Sequence, residues 1–309
     1  MQPAGHLIHA DVANEQVLTM SLLRPKFTTF IHEHEEVINN EYWYNDGPPL
    51  LGKAFSKAKT VQRHHQVIDI LRRAAKRAIK ADEDVLASEL QGLTDKLARC
   101  KPGFRCGSLA CPQCGRAFQR AKAAAQSECI KQLAKSRARK TLVMANVIPL
   151  WMTYTDRQLD QLGIGKANQW LKAELARHGF DRVMFGSADI SLENGYYQLH
   201  WHIGTWTSNT ARLTRRLKRI FPSAENYDRP VLSKKSYDLN FLPYKDKGIK
   251  LPDLLRRNKR HLSSLLLVLD RTNPLALMML TRLRLSAQDG SLIFTRTKSK
   301  KKKRSPRRQ

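Results

Sequence analysis

Apolar and polar positions alternate along two adjacent stretches between residues 187 and 206, and this alternation predicts a β-hairpin. The dipeptide Asn194-Gly195 separates the two stretches and is a strong signal for a two-residue type I′ turn, which needs positive φ at both central residues. Counting outward from this turn pairs Asp189 with His200. Because side chains alternate across a strand, His202 lies on the same polar face as these two residues.

Patterns of longer period predict helices on both sides of the hairpin. Between residues 67 and 79 apolar residues recur at helical spacing, with arginine and lysine on the outer side. This pattern is more typical of an amphipathic helix with a solvated charged face than of a helix that reads DNA. The remaining patterns predict, in chain order, a buried strand over 141–149, a capping box at Thr155 and Gln158, a helix through 167–175, a basic helix over 209–220, a strand around 229–242 and two helices over 251–284 that are separated at Pro274.

The order strand, helix, hairpin, helix, strand indicates the fold class. It is the order of a split β-α-β unit, in which an antiparallel sheet carries helices on one face. We therefore predict an α+β, ferredoxin-like fold whose polar sheet face is open to ligands. The predicted units are a basic helical N-terminal region (1–98), a cysteine-containing segment with a basic helix (99–139), the sheet domain (140–250), C-terminal helices (251–295) and a disordered basic tail (296–309).

The charge of the chain indicates a polyanionic partner. Its 55 basic and 27 acidic residues give a net charge of +28 over 309 residues. A long nucleic acid fits such a charge better than a small acidic metabolite does, and an anionic membrane surface is the alternative. The sequence carries neither an evident signal peptide nor a lipid anchor, so we expect a soluble intracellular protein without membrane contact. The lysine-rich tail also allows nuclear import as an alternative.

The polar face of the hairpin offers a set of metal ligands. Residues directly opposite each other in an antiparallel pair have Cβ atoms about 5 Å apart, so Asp189, His200 and His202 could hold one ion. Imidazole binds many divalent metals, and the added carboxylate favours Mg²⁺ or Mn²⁺. The alternative interpretation is an exposed strand face with two solvated histidines.

Four cysteines form a second candidate metal site. Cys100, Cys106, Cys111 and Cys114 have the spacing C-x5-C-x4-C-x2-C, and the two-residue gap of the last pair lets both thiolates reach one structural Zn²⁺. Ordinary reduced thiols and redox chemistry are the alternatives. The predicted DNA contacts are the basic residues near this segment and on the later basic helix: Arg105, Arg116, Arg120, Lys122, Arg215 and Arg216.

The segment Leu199-His200-Trp201-His202-Ile203 resembles the His-hydrophobic-His motif of HUH endonucleases. Together with the cysteine-rich segment, residues 100–250 resemble rolling-circle plasmid replication initiators. The resemblance implies that Asp189 completes the metal site and that a catalytic tyrosine follows as Tyr-x-x-Lys, a pattern that Tyr244 and Lys247 match. Tyr237 is the alternative nucleophile, because Pro243 and Gly248 interrupt the helix in which that tyrosine would lie.

The resemblance also implies an activity and partners. The expected reaction is metal-dependent nicking of single-stranded or hairpin DNA at an origin, leaving a 5′-phosphotyrosyl link and a 3′-hydroxyl that primes synthesis. Host helicase and polymerase are the expected protein partners. The alternatives are a transposase or relaxase with the same site, and a zinc-containing DNA-binding regulator with a vestigial nuclease site. An RNA-binding protein fits less well, because the predicted sheet face is polar rather than aromatic.

Overall fold

The computed structural model describes residues 36–45, 56–135, 140–149, 151–180, 184–222, 231–236, 262–288 and 291–297. These residues form an α+β structure with one six-stranded sheet, one two-stranded sheet and several helices. Every pair of neighbouring strands is antiparallel. The predicted fold class, an α+β protein with an antiparallel sheet, is therefore confirmed.

The helices whose bounds lie within the described residues before the sheet are α1 (Glu41–Asn45), α2 (Lys57–Lys80), α3 (Asp84–Ala98) and α4 (Pro112–Lys135). Helix α2 begins where the Ser56 side chain accepts a hydrogen bond from the Lys59 backbone N–H, as an N-cap does. Its apolar stripe is buried as the periodicity predicts, although Ile79 is exposed. None of the helices in the described residues is long and apolar enough to cross a bilayer.

The six-stranded sheet is built around the predicted hairpin. Its strands are β1 (Thr141–Val147), β2 (Thr153–Tyr154), β3 (Met184–Glu193), β4 (Tyr196–Thr207), β5 (Val231–Ser236) and β6 (Met278–Thr281). They follow the order β5-β1-β4-β3-β6, and the short β2 also pairs with β4. A 3-10 turn (Asp156–Gln161) and helix α5 (Ile164–Arg177) connect β2 to β3, and helix α6 (Thr210–Ile220) lies between β4 and β5.

The register of the hairpin is the one that its turn predicts. Asn194 and Gly195 both have positive φ, 51° and 82°, as a type I′ turn requires. The pairing runs outward from this turn, so that Asp189 lies opposite His200 and Ser187 opposite His202. A two-residue sequence signal therefore determines which side chains share a face five to seven positions away.

Helices cover both faces of this sheet, which corrects the prediction of an open polar face. On the apolar face, the Trp201 indole N–H donates to the Asn168 side-chain oxygen of α5. On the polar face, the Lys122 ammonium of α4 donates to the Ser187 hydroxyl at 2.8 Å. The sheet lies between two helical layers because the helix that follows the cysteines packs onto the face that local sequence pattern leaves uncovered.

The prediction of two C-terminal helices is correct only for the first. Helix α7 covers Leu262–Arg271, and a 3-10 turn at Pro274–Leu277 follows it. The chain then forms three strands, β6 (Met278–Thr281), β7 (Leu283–Gln288) and β8 (Ser291–Arg296). Strand β6 pairs with the edge of β3, and β7 pairs with β8. Pairing with the distant β3 thus overrides the helical periodicity at β6, and β7 and β8 form a local hairpin.

Candidate functional site

Asp189, His200 and His202 meet on the polar face of the central hairpin. One ligand atom from each lies within 4.8 Å of the other two, and all three residues are buried. The Nε2 atoms of His200 and His202 lie 3.5 and 3.4 Å from the same Asp189 oxygen, Oδ2. Strands β3 and β4 thus aim one carboxylate and two imidazoles at a common point, as a divalent cation requires.

The second nitrogen of each imidazole faces an oxygen of the protein. His202 Nδ1 lies 2.7 Å from the Asn146 side-chain oxygen, and His200 Nδ1 lies 3.3 Å from the Gln198 carbonyl oxygen. Because these oxygens only accept hydrogen bonds, both contacts require a proton on Nδ1. This leaves Nε2 of each ring, which faces Asp189, as the nitrogen available to a metal ion, and the ion would replace any proton that Nε2 shares with the carboxylate.

The carboxyl group of Asp189 is held in its charged form. Burial alone would raise its pKa, but hydrogen bonds and attraction from His200 and His202 outweigh burial and hold the pKa well below its usual value. A carboxylate that stays ionised in a buried site supplies a permanent negative ligand for a cation.

Sequence reasoning missed Asn146, the partner of His202. Asn146 lies on β1 directly opposite His202, so the contact joins two strands that are about 55 residues apart in sequence. The available signal was a lone polar residue in the otherwise apolar stretch 142–147. Only the pairing of β1 with β4 gives that residue a role.

One end of the polar face is closed by an aromatic side chain. Phe185 crosses over Gly204, where an added Cβ would lie 2.3 Å from the Phe185 ring and 2.9 Å from the Met144 sulfur. The Phe185 ring also lies 5.8 Å from the Trp206 ring, measured between centroids. A glycine is thus needed opposite Phe185, and the resulting apolar cluster borders the three candidate ligands.

The four cysteines converge beneath the first turn of α4. Three of their Sγ···Sγ separations are 3.6 Å, Cys100–Cys114, Cys106–Cys114 and Cys111–Cys100. Zinc–sulfur bonds of about 2.3 Å in a tetrahedron place sulfur atoms about 3.8 Å apart, whereas a disulfide bond is about 2.05 Å long. The spacing therefore fits one Zn²⁺ held by all four thiolates.

Two further features support the cysteine site. Gly107, with φ of +70°, lets the chain turn back directly after Cys106. Hydrogen bonds from the neighbouring thiols lower the pKa of Cys100, which favours a thiolate there, whereas burial raises the pKa of Cys111. His64 on α2 places its Nδ1 atom 3.6 Å from Cys111 Sγ, a contact that sequence reasoning missed. The N-terminal helices are thus joined to the cysteine site.

The predicted DNA-contacting arginines near the cysteines are internal. Arg105 is buried, and its guanidinium donates to Glu41 at 2.8 Å and to Gln113 at 2.6 Å. Arg116 is also buried and donates to the Tyr44 carbonyl oxygen at 2.9 Å. These contacts correct the expectation for both residues, because their side chains hold α1 against the cysteine segment instead of facing solvent.

The other four predicted contacts differ in exposure. Arg120 and Lys122 are buried on α4, whereas Arg215 on α6 is exposed. Arg216 is half-buried, donates to the His178 carbonyl oxygen and lies 4.4 Å from the centre of the Phe180 ring. Within the described chain, Arg215 is thus the predicted contact that is displayed most openly.

The predicted nucleophiles Tyr244 and Tyr237, and the partner Lys247, lie outside the described residues.

Comparison of the chain with models of protein families, with curated proteins and with solved structures found no match. The function proposed below therefore rests on the chemistry of the two candidate metal sites.

Proposed function

We propose that this protein is a metal-dependent enzyme that nicks and rejoins single-stranded DNA through a 5′-phosphotyrosine intermediate and initiates rolling-circle replication of a plasmid or related mobile element. The observation that carries the proposal is the convergence of Asp189, His200 and His202 on one point with their Nε2 and carboxylate atoms. A carboxylate with two imidazoles suits Mg²⁺ or Mn²⁺, the ions that assist phosphodiester chemistry.

The strand order supports a split β-α-β, ferredoxin-like nuclease domain. Strands β1, β3, β4 and β5 lie in the order β5-β1-β4-β3, and α5 and α6 supply the two helical connections. This arrangement places the hairpin and β1 at the centre of the sheet, where the candidate ligands are protected from bulk water. Strand β6 extends the edge beyond β3.

The proposed chemistry is a transesterification. A metal ion held by Asp189, His200 and His202 would supply Lewis acidity at the scissile phosphate. The Tyr244 hydroxyl gives its proton to solvent and its oxygen bonds to phosphorus, while the bond between phosphorus and the 3′ oxygen breaks and that oxygen takes up a proton from solvent to leave as a 3′-hydroxyl. Lys247 favours the tyrosine phenolate, whose reference pKa is about 10. Reversal of the same step rejoins the strand.

The charge of the protein supports a DNA substrate. Helix α6 displays exposed basic side chains along its outer face, beside the sheet. Such side chains contact phosphates without reading sequence. These exposed residues are Arg212, Arg215, Lys218 and Arg219. An origin hairpin, together with a host helicase and polymerase in the bacterial cytoplasm, completes the proposed setting.

The test is a cleavage assay with Mn²⁺ and a labelled single-stranded oligonucleotide that carries a hairpin from the DNA flanking the gene. The protein should cleave the strand and remain attached to its 5′ end. Tyr244→Phe should abolish the covalent adduct and keep DNA binding. If the adduct persists in that variant and Tyr237→Phe removes it, Tyr237 is the nucleophile. No adduct from any variant or the native protein would refute the proposal.

The depth of the site favours a zinc-containing DNA-binding regulator as the second candidate. The side chains of Asp189, His200 and His202 are only 3, 7 and 8% exposed, as ligands of a purely structural metal often are. A regulator binds duplex DNA without forming an adduct. Its His200→Ala variant should lose both thermal stability and DNA binding. In the nicking enzyme, His200→Ala loses cleavage and keeps DNA binding. A relaxase or transposase shares the adduct but joins a second DNA end.

A further inference from the structure

Helix α4 places a buried lysine side chain on the polar face of the sheet, the face that carries Asp189, His200 and His202. Lys122 is 2% exposed, and its ammonium donates to the Ser187 hydroxyl at 2.8 Å. A lysine side chain on a surface helix normally extends into water, because burying its charge is costly. Lys122 instead crosses from α4 to the central strand β3.

The position of Ser187 places this ammonium next to the candidate ligands. Ser187 lies directly opposite His202 in the hairpin and two residues before Asp189 on the same face of β3. Opposed residues have Cβ atoms about 5 Å apart, so the ammonium lies beside the metal centre rather than in a separate part of the core.

A second polar side chain of α4 lies one helical turn beyond Lys122. Gln126 is 2% exposed, and among the residues that the structure describes neither its amide nitrogen nor its carbonyl oxygen has a hydrogen-bond partner. Positions four apart on a helix share a face, so Gln126 follows Lys122 along the same side of α4. Buried amide groups without partners are rare, and such a group is suited to a ligand that supplies the missing acceptor.

We infer that Lys122 and Gln126 bind the phosphodiester whose oxygen is held at the Asp189, His200 and His202 centre. The Lys122 ammonium and the Gln126 amide donate hydrogen bonds to the phosphate oxygens that do not contact the metal ion. The inference rests on the proposed function only in naming a phosphodiester as the ligand. It assigns phosphate binding to α4, a helix outside the sheet domain.

The cysteine site holds the helix that makes these contacts. Cys114 lies in the first turn of α4, two turns before Lys122, which is about 12 Å along the helix axis. Zinc bound there fixes the start of α4 and thereby the depth at which Lys122 meets the sheet. The two metal sites are then coupled through one rigid helix, and removal of zinc should weaken phosphate binding at the other site.

The experiment measures metal and phosphate binding separately, so that its result does not depend on nicking. The full-length protein is loaded with Mn²⁺, and broadening of the ³¹P signal of the dinucleotide thymidylyl-thymidine reports the affinity of a phosphodiester for the metal centre. Lys122→Met should keep Mn²⁺ binding and weaken dinucleotide binding about 10- to 100-fold, as loss of a charge-assisted hydrogen bond does. Gln126→Leu should weaken it about 5-fold without loss of thermal stability.

Lys131→Met is the matched control, because Lys131 lies on the same helix and faces solvent. The control should bind the dinucleotide as the native protein does. Native affinity in both Lys122→Met and Gln126→Leu overturns the inference, and so does an equal loss in Lys131→Met. If Lys122→Met does not fold, Gln126→Leu decides alone. A native protein that binds the dinucleotide through Lys122 and forms no DNA adduct refutes the proposed nicking activity but not the phosphate site.

Discussion

Asn146 offers the sharpest test of how the metal centre is organised. Its side-chain oxygen accepts a hydrogen bond from His202 Nδ1 at 2.7 Å and so keeps His202 Nε2 directed at Asp189. Asn146→Leu preserves the approximate volume of the side chain and removes the acceptor. His202 then loses the contact that fixes both its tautomer and its ring orientation.

The expected cost is a 10- to 100-fold weaker affinity for Mn²⁺. Loss of the partner of a metal-bound histidine typically has this effect, which corresponds to about 1.4–2.7 kcal/mol of binding free energy. Asn146→Asp is the matched control, because it keeps an oxygen acceptor at the same position. The carboxylate should bind His202 at least as strongly as the amide does, so this variant should keep the native Mn²⁺ affinity or exceed it.

Isothermal titration calorimetry with Mn²⁺ measures the affinity, and thermal unfolding of the metal-free proteins checks that each variant folds. The reasoning is refuted if Asn146→Leu binds Mn²⁺ as tightly as the native protein. It is also refuted if Asn146→Leu and Asn146→Asp lose affinity equally, because the acceptor would then have no role in binding.

Four further predictions follow from the same structure. Gly204→Ala forces its new Cβ against the Phe185 ring and should lower the free energy of unfolding by about 1–3 kcal/mol, measured by urea denaturation; an unchanged midpoint would contradict the close packing. The protein should contain one zinc atom per chain by metal analysis, and a chelator that removes it should expose the helices around the cysteines to proteolysis. Burial raises the pKa of the Cys129 thiol to about 11, so iodoacetamide should not modify it in the folded protein at pH 8, and rapid modification there would show that the thiol is accessible. The pKa of Asp189 is held below its usual value, so its charge should still contribute to Mn²⁺ binding at pH 5; equal Mn²⁺ affinities of the native protein and Asp189→Asn at that pH would contradict this.

Local sequence was sufficient to predict the centre of the site. Alternation assigned the faces of β3 and β4, and Asn194-Gly195 set the register that pairs Asp189 with His200. Both signals act over a few residues, since a β-turn and the two-residue period of a strand are properties of the backbone alone. The close spacing of the cysteines likewise brought four thiols to one point.

The surroundings of the site depended on contacts between distant parts of the chain. Asn146 reaches His202 only because β1 pairs with β4, and Lys122 reaches Ser187 only because α4 packs on the polar face. The sequence suggested that Arg105 is a surface cation, but its guanidinium is buried and forms an ion pair with Glu41. Residues 278–281 form strand β6, although the pattern of residues 251–284 suggested a helix, because β6 pairs with the edge of β3.

The sequence by itself thus determined which groups form the candidate metal centre, because a turn dipeptide and strand alternation place them without help from the rest of the chain. Only the tertiary structure decided what surrounds that centre. The helix that covers a sheet face and the partner of a buried charge are selected by packing across the whole molecule, and short-range periodicity does not contain that information.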